Sequence, residues 1–318
     1  MNGDVVVQCE GLTKRYGQVL AVDGLNLEIR AGEVFGLLGP NGAGKTTTIT
    51  MMCGLLAPDA GRVLVNGQPI SRAKDEIRTR IGVCPQQVVV WERLTALEQV
   101  EFVGRMYGLS RRTARRRGES LLEQLGLSGK RKARASTLSG GMKRRLNLIL
   151  AIVHEPEIVI LDEPEAGLDP QSRVLVREFI RSLARTHTVV LTTHNMDEAE
   201  RLSDRVAIID RGRLLLVDTP AALKHHVGEG DIVEIHLASG IQVAPSAVED
   251  ALSALPSVAG HVTVGDRRLV VRALDAVNAL SEILDALRKA GMKAGEVRIR
   301  QNTLEDVFIS LTGRELRE

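Results

Sequence analysis

The residues of this chain best suited to chemistry fall in three short segments. The first, GPNGAGKTT from Gly39 to Thr47, has the spacing GxxxxGK[ST]. Glycines let the backbone curl so that successive N–H groups face inward around phosphate oxygens, and a helix beginning near Gly44 adds its positive dipole end. Lys45 neutralises the outer phosphates and Thr46 offers a hydroxyl to Mg²⁺. Gly39, Pro40, Asn41, Gly42, Ala43, Gly44, Lys45, Thr46 and Thr47 are therefore the expected nucleotide-binding residues. The second segment, VILDEP, places Asp162 at the end of an apolar run, suited to holding Mg²⁺ through water. Glu163 follows at once, and successive strand side chains point oppositely, so the two acids reach different atoms. The third, LSGGMKRR from Leu138 to Arg145, holds no general base and no metal ligand. Ser139, Gly140 and Gly141 stand ahead of a run of cations on what reads as the start of a helix.

These segments need a scaffold, and the apolar pattern supplies one. EVFGLLGP, EIVILDEP and TVVLTTH are short, nearly all apolar and end in turn residues, as parallel strands covered on both faces do. Between the last two, RVLVREFIRSLAR puts Val176, Phe179, Ile180 and Leu183 on one helical face. Strand, helix, strand in that order is a crossover unit, so the class is α/β. VNGQ and DRGR read as tight hairpin turns. From about Val88 to Leu150 the pattern is mostly helical and basic, an inserted helical subdomain within a nucleotide-binding domain over residues 1–222. A linker over 223–229 leads to a C-terminal accessory domain, 230–318. There DIVEIHL and RRLVVRA alternate as half-buried strands, SAVEDALSAL opens with a capping box of Ser246 and Glu249, and VNALSEILDALRKAG sets Val277, Leu280, Leu284 and Leu287 at helical spacing before a stop at Gly291. With HVTVG and EVRIR the order is βαββαβ, a small α+β domain with ferredoxin-like order.

Composition narrows the class. The chain has 318 residues and a net charge of +2, too small a bias to imply a polyanion partner. Aromatic residues make up 2%, too few for a base-stacking platform, so RRTARRR and GKRKARA are read as solvated faces, with attraction to anionic headgroups second, and no nucleic acid is expected. Cys9, Cys53 and Cys84 form no CxxC pair and fit reduced thiols better than disulfides or a zinc site. No apolar run approaches the roughly 18–20 residues of a membrane span, and no signal peptide is evident; the chain is read as soluble and cytoplasmic.

The ordered segments GPNGAGKTT, CPQQ, LSGGMKRR, VILDEP, AGLDP and TTHNMDEAE resemble those of the ATP-binding subunits of ABC transporters over about residues 1–220. The MKRR signature and the appended domain ending in TLEDVFISLTG resemble the branch that exports drugs, antibiotics or polysaccharides. The resemblance implies a P-loop ABC cassette with ATP and Mg²⁺ as cofactors, and two copies closing head to tail around two ATP molecules. It implies that Ser139 and the bare N–H groups of Gly140 and Gly141 at a helix start make a second anion cradle, close because only glycine lets that backbone approach, and that with Asp169 it serves the partner's nucleotide. It implies too that Glu163 polarises the attacking water and that His194 contacts the γ-phosphate. Gln86 resembles the residue that reaches Mg²⁺ beside Thr46 and Asp162, and Tyr16 the aromatic that stacks on adenine. A separate integral-membrane permease is implied as partner, with the chain peripheral on the cytoplasmic face. A soluble ATPase acting on ribosomes or DNA is the alternative, but those carry two cassettes or long insertions. A P-loop kinase or GTPase leaves the signature segment unexplained.

Two segments stay open on sequence grounds. Glu165 stands where the family usually has Thr or Ser; an extra anion beside Glu163 would repel ATP, and the reading adopted is that Glu165 points to solvent and slows hydrolysis only mildly. VVVWERLT follows Gln86 where the family meets its membrane subunit, and Val88 to Trp91 is either a docking patch or a core strand.

Overall fold

A computed structural model describes residues 4–70, 77, 79–226, 230–237, 248, 252–258, 263–264 and 268–313. The chain divides into two compact units after Pro220. The first unit begins with β1 (Val5–Tyr16) and β2 (Val19–Arg30), which pair antiparallel and join β4 (Ala60–Val65) and β5 (Gln68–Pro69) in a four-stranded sheet ordered β2-β1-β4-β5. The second sheet holds β3 (Val34–Leu38), β6 (Ile81–Cys84), β7 (Ile158–Asp162), β8 (Thr188–Thr193), β9 (Arg205–Asp210) and β10 (Arg213–Asp218), in the order β10-β9-β3-β8-β7-β6. All its pairs are parallel except β9 with β10.

The all-apolar segments form its centre because both faces are covered, and every residue of β3, β7 and β8 is buried. The expected turns close β4 on β5 and β9 on β10, with Asn66-Gly67 and Arg211-Gly212 all at positive φ, as a two-residue turn between right-twisted strands requires. Helix α1 (Lys45–Met52) follows β3. The basic segment supplies α2 (Ala96–Met106), α3 (Arg111–Gln124) and α4 (Gly140–Ile152). Thr95 and Glu98 form a capping box on α2, and Ser110 caps α3. Between β7 and β8 runs α5 (Pro170–Leu183), capped by Asp169 with Pro170 at its first position and burying Val176, Phe179, Ile180 and Leu183. The short α6 (Met196–Leu202) connects β8 to β9. Cys9, Cys53 and Cys84 are buried free thiols, and burial pushes Cys9 and Cys53 up to about 12.

In the second unit, α7 (Pro220–His225) buries Leu223 where a linker is expected from sequence, so that segment is helical up to His225. Four antiparallel strands, β11 (Asp231–Leu237), β12 (Thr263–Val264), β13 (Arg268–Ala273) and β14 (Ala294–Arg300), form a sheet ordered β12-β13-β11-β14. Helix α8 (Ala276–Lys289) lies between β13 and β14, and α9 (Leu304–Thr312) follows β14 with a capping box of Thr303 and Asp306. The Ser246–Glu249 capping box lies outside the described residues. The phase expected for α8 is corrected: it buries Ala276, Ala279, Ile283 and Leu287, while Val277 is 73% exposed and Leu280 only partly buried. The small alanines allow close approach to the sheet, and that turns the helix by about one residue from the face its largest side chains mark. Among the described residues no helix is long and apolar enough to cross a membrane.

Candidate functional site

The carboxyl ends of β3, β6, β7 and β8 lie side by side, where open parallel sheets hold ligands. Beyond β3 the chain turns through residues 39–44 into α1, and Gly44 takes φ 98° as its cap. A Cβ on Gly44 would lie 2.3 Å from the Ala21 carbonyl and one on Gly39 2.2 Å from the Ile209 carbonyl. Both glycines are thus required by packing inside the chain. The buried Lys45 doubles back, its Nζ donating to the carbonyls of Gly39 at 2.7 Å and Pro40 at 3.1 Å. Burial lowers its pKa, and the carboxylates of Glu163 and Asp162 act in the opposite sense.

Asp162 ends β7 fully within the core. Its Oδ2 accepts from the Thr46 hydroxyl at 3.1 Å, and its Oδ1 from the Thr192 hydroxyl on β8. Glu163 then takes φ 48°, a left-handed conformation costing about 1–2 kcal/mol for a residue with a Cβ. Its N–H is held by the Thr192 hydroxyl at 3.0 Å and the Thr192 carbonyl at 3.1 Å. One oxygen of the buried Glu163 carboxylate accepts from Gln86 Nε2 at 3.0 Å, and the other meets His194 Nδ1 at 2.9 Å, with Lys45 Nζ 4.0 Å away. Lys45, Thr46, Gln86, Asp162, Glu163 and His194, distributed over most of the first unit's length, thus meet at one place.

A cleft of about 320 Å³ opens over these groups, lined by Tyr16, Ala21, Asn41, Gly42, Gly44, Lys45, Thr46, Thr47, Gln86 and Glu163. Tyr16 is 51% exposed at its rim. Gly39, Pro40 and Ala43 shape the loop without lining the cleft. Ser139, Gly140, Gly141 and Asp169 do not line it either. Ser139 caps α4 by accepting from the Met142 N–H at 3.3 Å, and among the described residues a Cβ on Gly140 would meet nothing beyond its own helix within 4 Å. Asp169 caps α5, accepting from the Ser172 N–H at 3.0 Å and hydroxyl at 2.7 Å, and these bonds lower its pKa. A Cβ on Gly141 would lie 3.7 Å from Asp169 Oδ2, so the signature segment and Asp169 form one outward-facing surface.

Three further residues escape a motif-based reading. Arg144, buried at the fifth position of α4, donates to five carbonyls: Pro85 at 2.9 Å, Gln86 at 2.5 Å, Asp162 at 2.6 Å, Glu163 at 2.5 Å and Pro164 at 3.4 Å. It ties the loop after β6 to the strained turn after β7. The signal available was a cation in register with the apolar face of α4. Glu165 corrects an expectation: it is 5% exposed and does not point to solvent. Arg177 on α5 donates Nε to one of its oxygens at 2.6 Å and Nη2 to the other at 2.8 Å, which neutralises the anion that sequence alone sets against ATP. Glu198 on α6 is buried and accepts from the Thr193 hydroxyl at 2.6 Å, and among the described residues none hydrogen-bonds its Oε1. Burial, with the charges of Glu165 and Glu163, pushes it up to about 7 against the Thr193 bond and Arg177. Val88 to Trp91 forms no strand; Val88, Val89 and Trp91 are exposed, and the Trp91 ring meets exposed Phe102 edge to face at 5.4 Å.

A glycine-rich turn into a helix, two acids ending a neighbouring strand and a polar cleft over them are the parts of a nucleoside-triphosphate-binding site of the P-loop kind. Residues 22–166 match the family model for ABC transporter domains. The chain is 39% identical to the daunorubicin resistance ATP-binding protein DrrA3 of Streptomyces coeruleorubidus over 99% of its length and 98% of that protein. It is 41% identical to the Nod factor export ATP-binding protein I of Burkholderia orbicola (strain AU 1054), covering 98% of each. Among solved structures it resembles the ATP-binding cassette MJ0796, seen as a dimer in a post-hydrolysis state with ADP and Pi, at 26% identity and TM-score 0.62 over 67% of this chain and 98% of that one. The chain belongs to the ABC transporter family. It is an ATP-binding, ATP-hydrolysing subunit of the exporter branch, and the ribosome- or DNA-acting alternative is set aside.

Proposed function

We propose that this chain works as one half of an ATP-dependent head-to-tail pair which drives export through a separate membrane permease, from the cytoplasmic face of the membrane. The observation that carries the reading is the division of the two anion cradles. Lys45, Thr46, Asp162 and Glu163 line or underlie one cleft, while Ser139 and Gly140 face outward from it. Among the described residues nothing outside its own helix lies within 4 Å of a Cβ placed on Gly140; its bare backbone is read as serving something that approaches from outside, and a second copy's triphosphate is the occupant with matching charge. Asp169 and Gly141 share that surface.

Within the cleft, Tyr16 offers its face to adenine, and residues 39–47 with Lys45 hold the phosphates. Glu163 polarises the attacking water. Both its oxygens are engaged, one by Gln86 and one by His194; either donor can turn to a phosphate oxygen and free a carboxylate oxygen for the water. Thr46, Asp162 and Gln86 would hold Mg²⁺. The adjacent Thr46 hydroxyl and Asp162 carboxylate fit it, being hard oxygen donors too few for a full shell, as an ion shared with phosphates and water requires. When bound, that ion neutralises charge on the β- and γ-phosphates. The exposed Val88, Val89, Trp91 and Phe102 form the apolar patch that meets the permease. By likeness to proteins named for drug resistance and Nod factor export, the cargo is a drug, an antibiotic or a polysaccharide-like molecule.

The test is Glu163→Gln. The variant is expected to bind ATP normally, to lose hydrolysis by ~10²–10⁴-fold, and to elute from a sizing column as a dimer with ATP and Mg²⁺. A variant that stays monomeric with both at saturation counts against the paired mechanism.

A further inference from the structure

Glu165 is the anion that the sequence sets beside Glu163, and its surroundings in the fold give it a purpose. A buried carboxylate persists only when paired, and Arg177 pairs it through two parallel N–H bonds at 2.6 and 2.8 Å. Glu165 sits inside the turn that starts at Glu163 and ends at Asp169, and the turn's own bonds run through it: Ala166 N–H to the Glu163 carbonyl at 3.1 Å and Leu168 N–H to the Glu165 carbonyl at 3.2 Å. Arg177 belongs to α5, the helix Asp169 caps, so the ion pair closes the turn back onto its own helix. Arg177 Nη2 also lies 3.8 Å from Asp197. Asp197 is on α6, which begins two residues after His194, and its own partner is Arg201 at 2.7 Å. The turn that runs from Glu163 to Asp169 and the helix that begins just after His194 therefore meet at one guanidinium. A hydroxyl side chain at 165 reaches only its immediate turn; the carboxylate reaches a helix.

We infer that Glu165 and Arg177 form a clasp that sets the positions of Glu163 and Asp169, and that both are positioning residues for hydrolysis. The clasp rests on the reading of Glu163 as the group that polarises water. It reverses the expectation that an anion at 165 hinders the reaction, because the charge is spent on Arg177 and not on ATP.

The test uses the full-length chain with Glu165→Gln, Arg177→Gln and the double variant, which leaves two amides and no lone buried charge. Turnover, KM for ATP, binding of a fluorescent ATP analogue and melting temperature are measured for each. Each single variant is expected to lose about tenfold in kcat through misplacement of Glu163, with analogue affinity within about twofold. The double variant is expected to lose no more than the worse single one, since partners in one contact do not add. Losses that multiply to about a hundredfold would show two independent residues and overturn the clasp. So would a lowered melting temperature with wild-type kcat per folded molecule, or a Glu165→Thr variant faster than wild type. Where a single variant does not fold, the double variant decides by the same kcat criterion. Glu163→Gln runs alongside: if it hydrolyses at the wild-type rate, the reading of Glu163 fails and takes the clasp with it. If it is inactive while the clasp variants are unimpaired, the clasp alone fails.

Discussion

Four buried acidic side chains, Glu163 lining the cleft and Asp162, Glu165 and Glu198 beyond it, are each handled differently. Asp162 is held by two threonine hydroxyls, Glu163 by Gln86 and His194, and Glu165 by Arg177. Among the described residues Glu198 has only the Thr193 hydroxyl as a side-chain partner, with Glu165 and Glu163 near enough to oppose its charge and Arg177 to favour it. Its raised pKa has a consequence for stability. The unfolded chain releases this proton near 4.5 and the folded chain only near 7, so between those values the folded state holds more protons and stability falls as pH rises. Glu198→Gln removes that loss. The variant is expected to melt with the wild type below pH 4.5 and several degrees above it beyond pH 7, the gap opening across the window between. Thermal melts of both proteins across that range check this, and a gap independent of pH would show that Glu198 is not the titrating group.

Helix α4 carries two duties on one stretch of sequence. Its first turn presents Ser139 and Gly140 to solvent, and one turn later Arg144, with Asn147, Leu148 and Ala151, enters the buried face. A single guanidinium thereby ties this helix to the loop holding Gln86 and to the Glu163 turn. The same loop continues into the exposed patch of Val88, Val89 and Trp91, so the patch and the cleft share a segment. Val89→Glu with Trp91→Glu is expected to abolish copurification with a membrane protein from detergent extract, while ATP analogue binding by the isolated chain stays within about twofold because the contact removed lies outside the cleft. Undiminished copurification would remove the patch from the interface.

At the scale of the molecule, the proposed pairing makes a prediction no single-chain site can imitate. Lys45→Ala destroys the phosphate loop and Ser139→Arg blocks the signature; each homogeneous pair is expected to be inactive. Mixed, the two variants form pairs in which one site takes its phosphate loop from one chain and its signature from the other, both intact. With random assembly and independent sites, about a quarter of wild-type hydrolysis returns. A mixture as inactive as its components would mean that the two cradles do not complete one another.

Local chemistry was written plainly in the chain. A loop that must curl around phosphate needs glycines at set intervals, a strand buried on both faces must be apolar, and a capped helix announces its start; these are properties of neighbours in sequence, and Gly39 to Thr47, VILDEP and the crossover through α5 could be placed from them. The phase of α8 could not, because Ala276 and Ala279 win the buried face by being small enough for the sheet to approach, and nothing within the helix records that sheet. Nor could the partners of Arg144, five carbonyls on two segments far from it in the chain, or the pairing of Glu165 with a guanidinium twelve residues on. Burying a charge is costly unless another meets it. Whether one does depends on which side chains the folded chain brings within about 3 Å, a distance that hydrogen bonding sets and that no local pattern encodes.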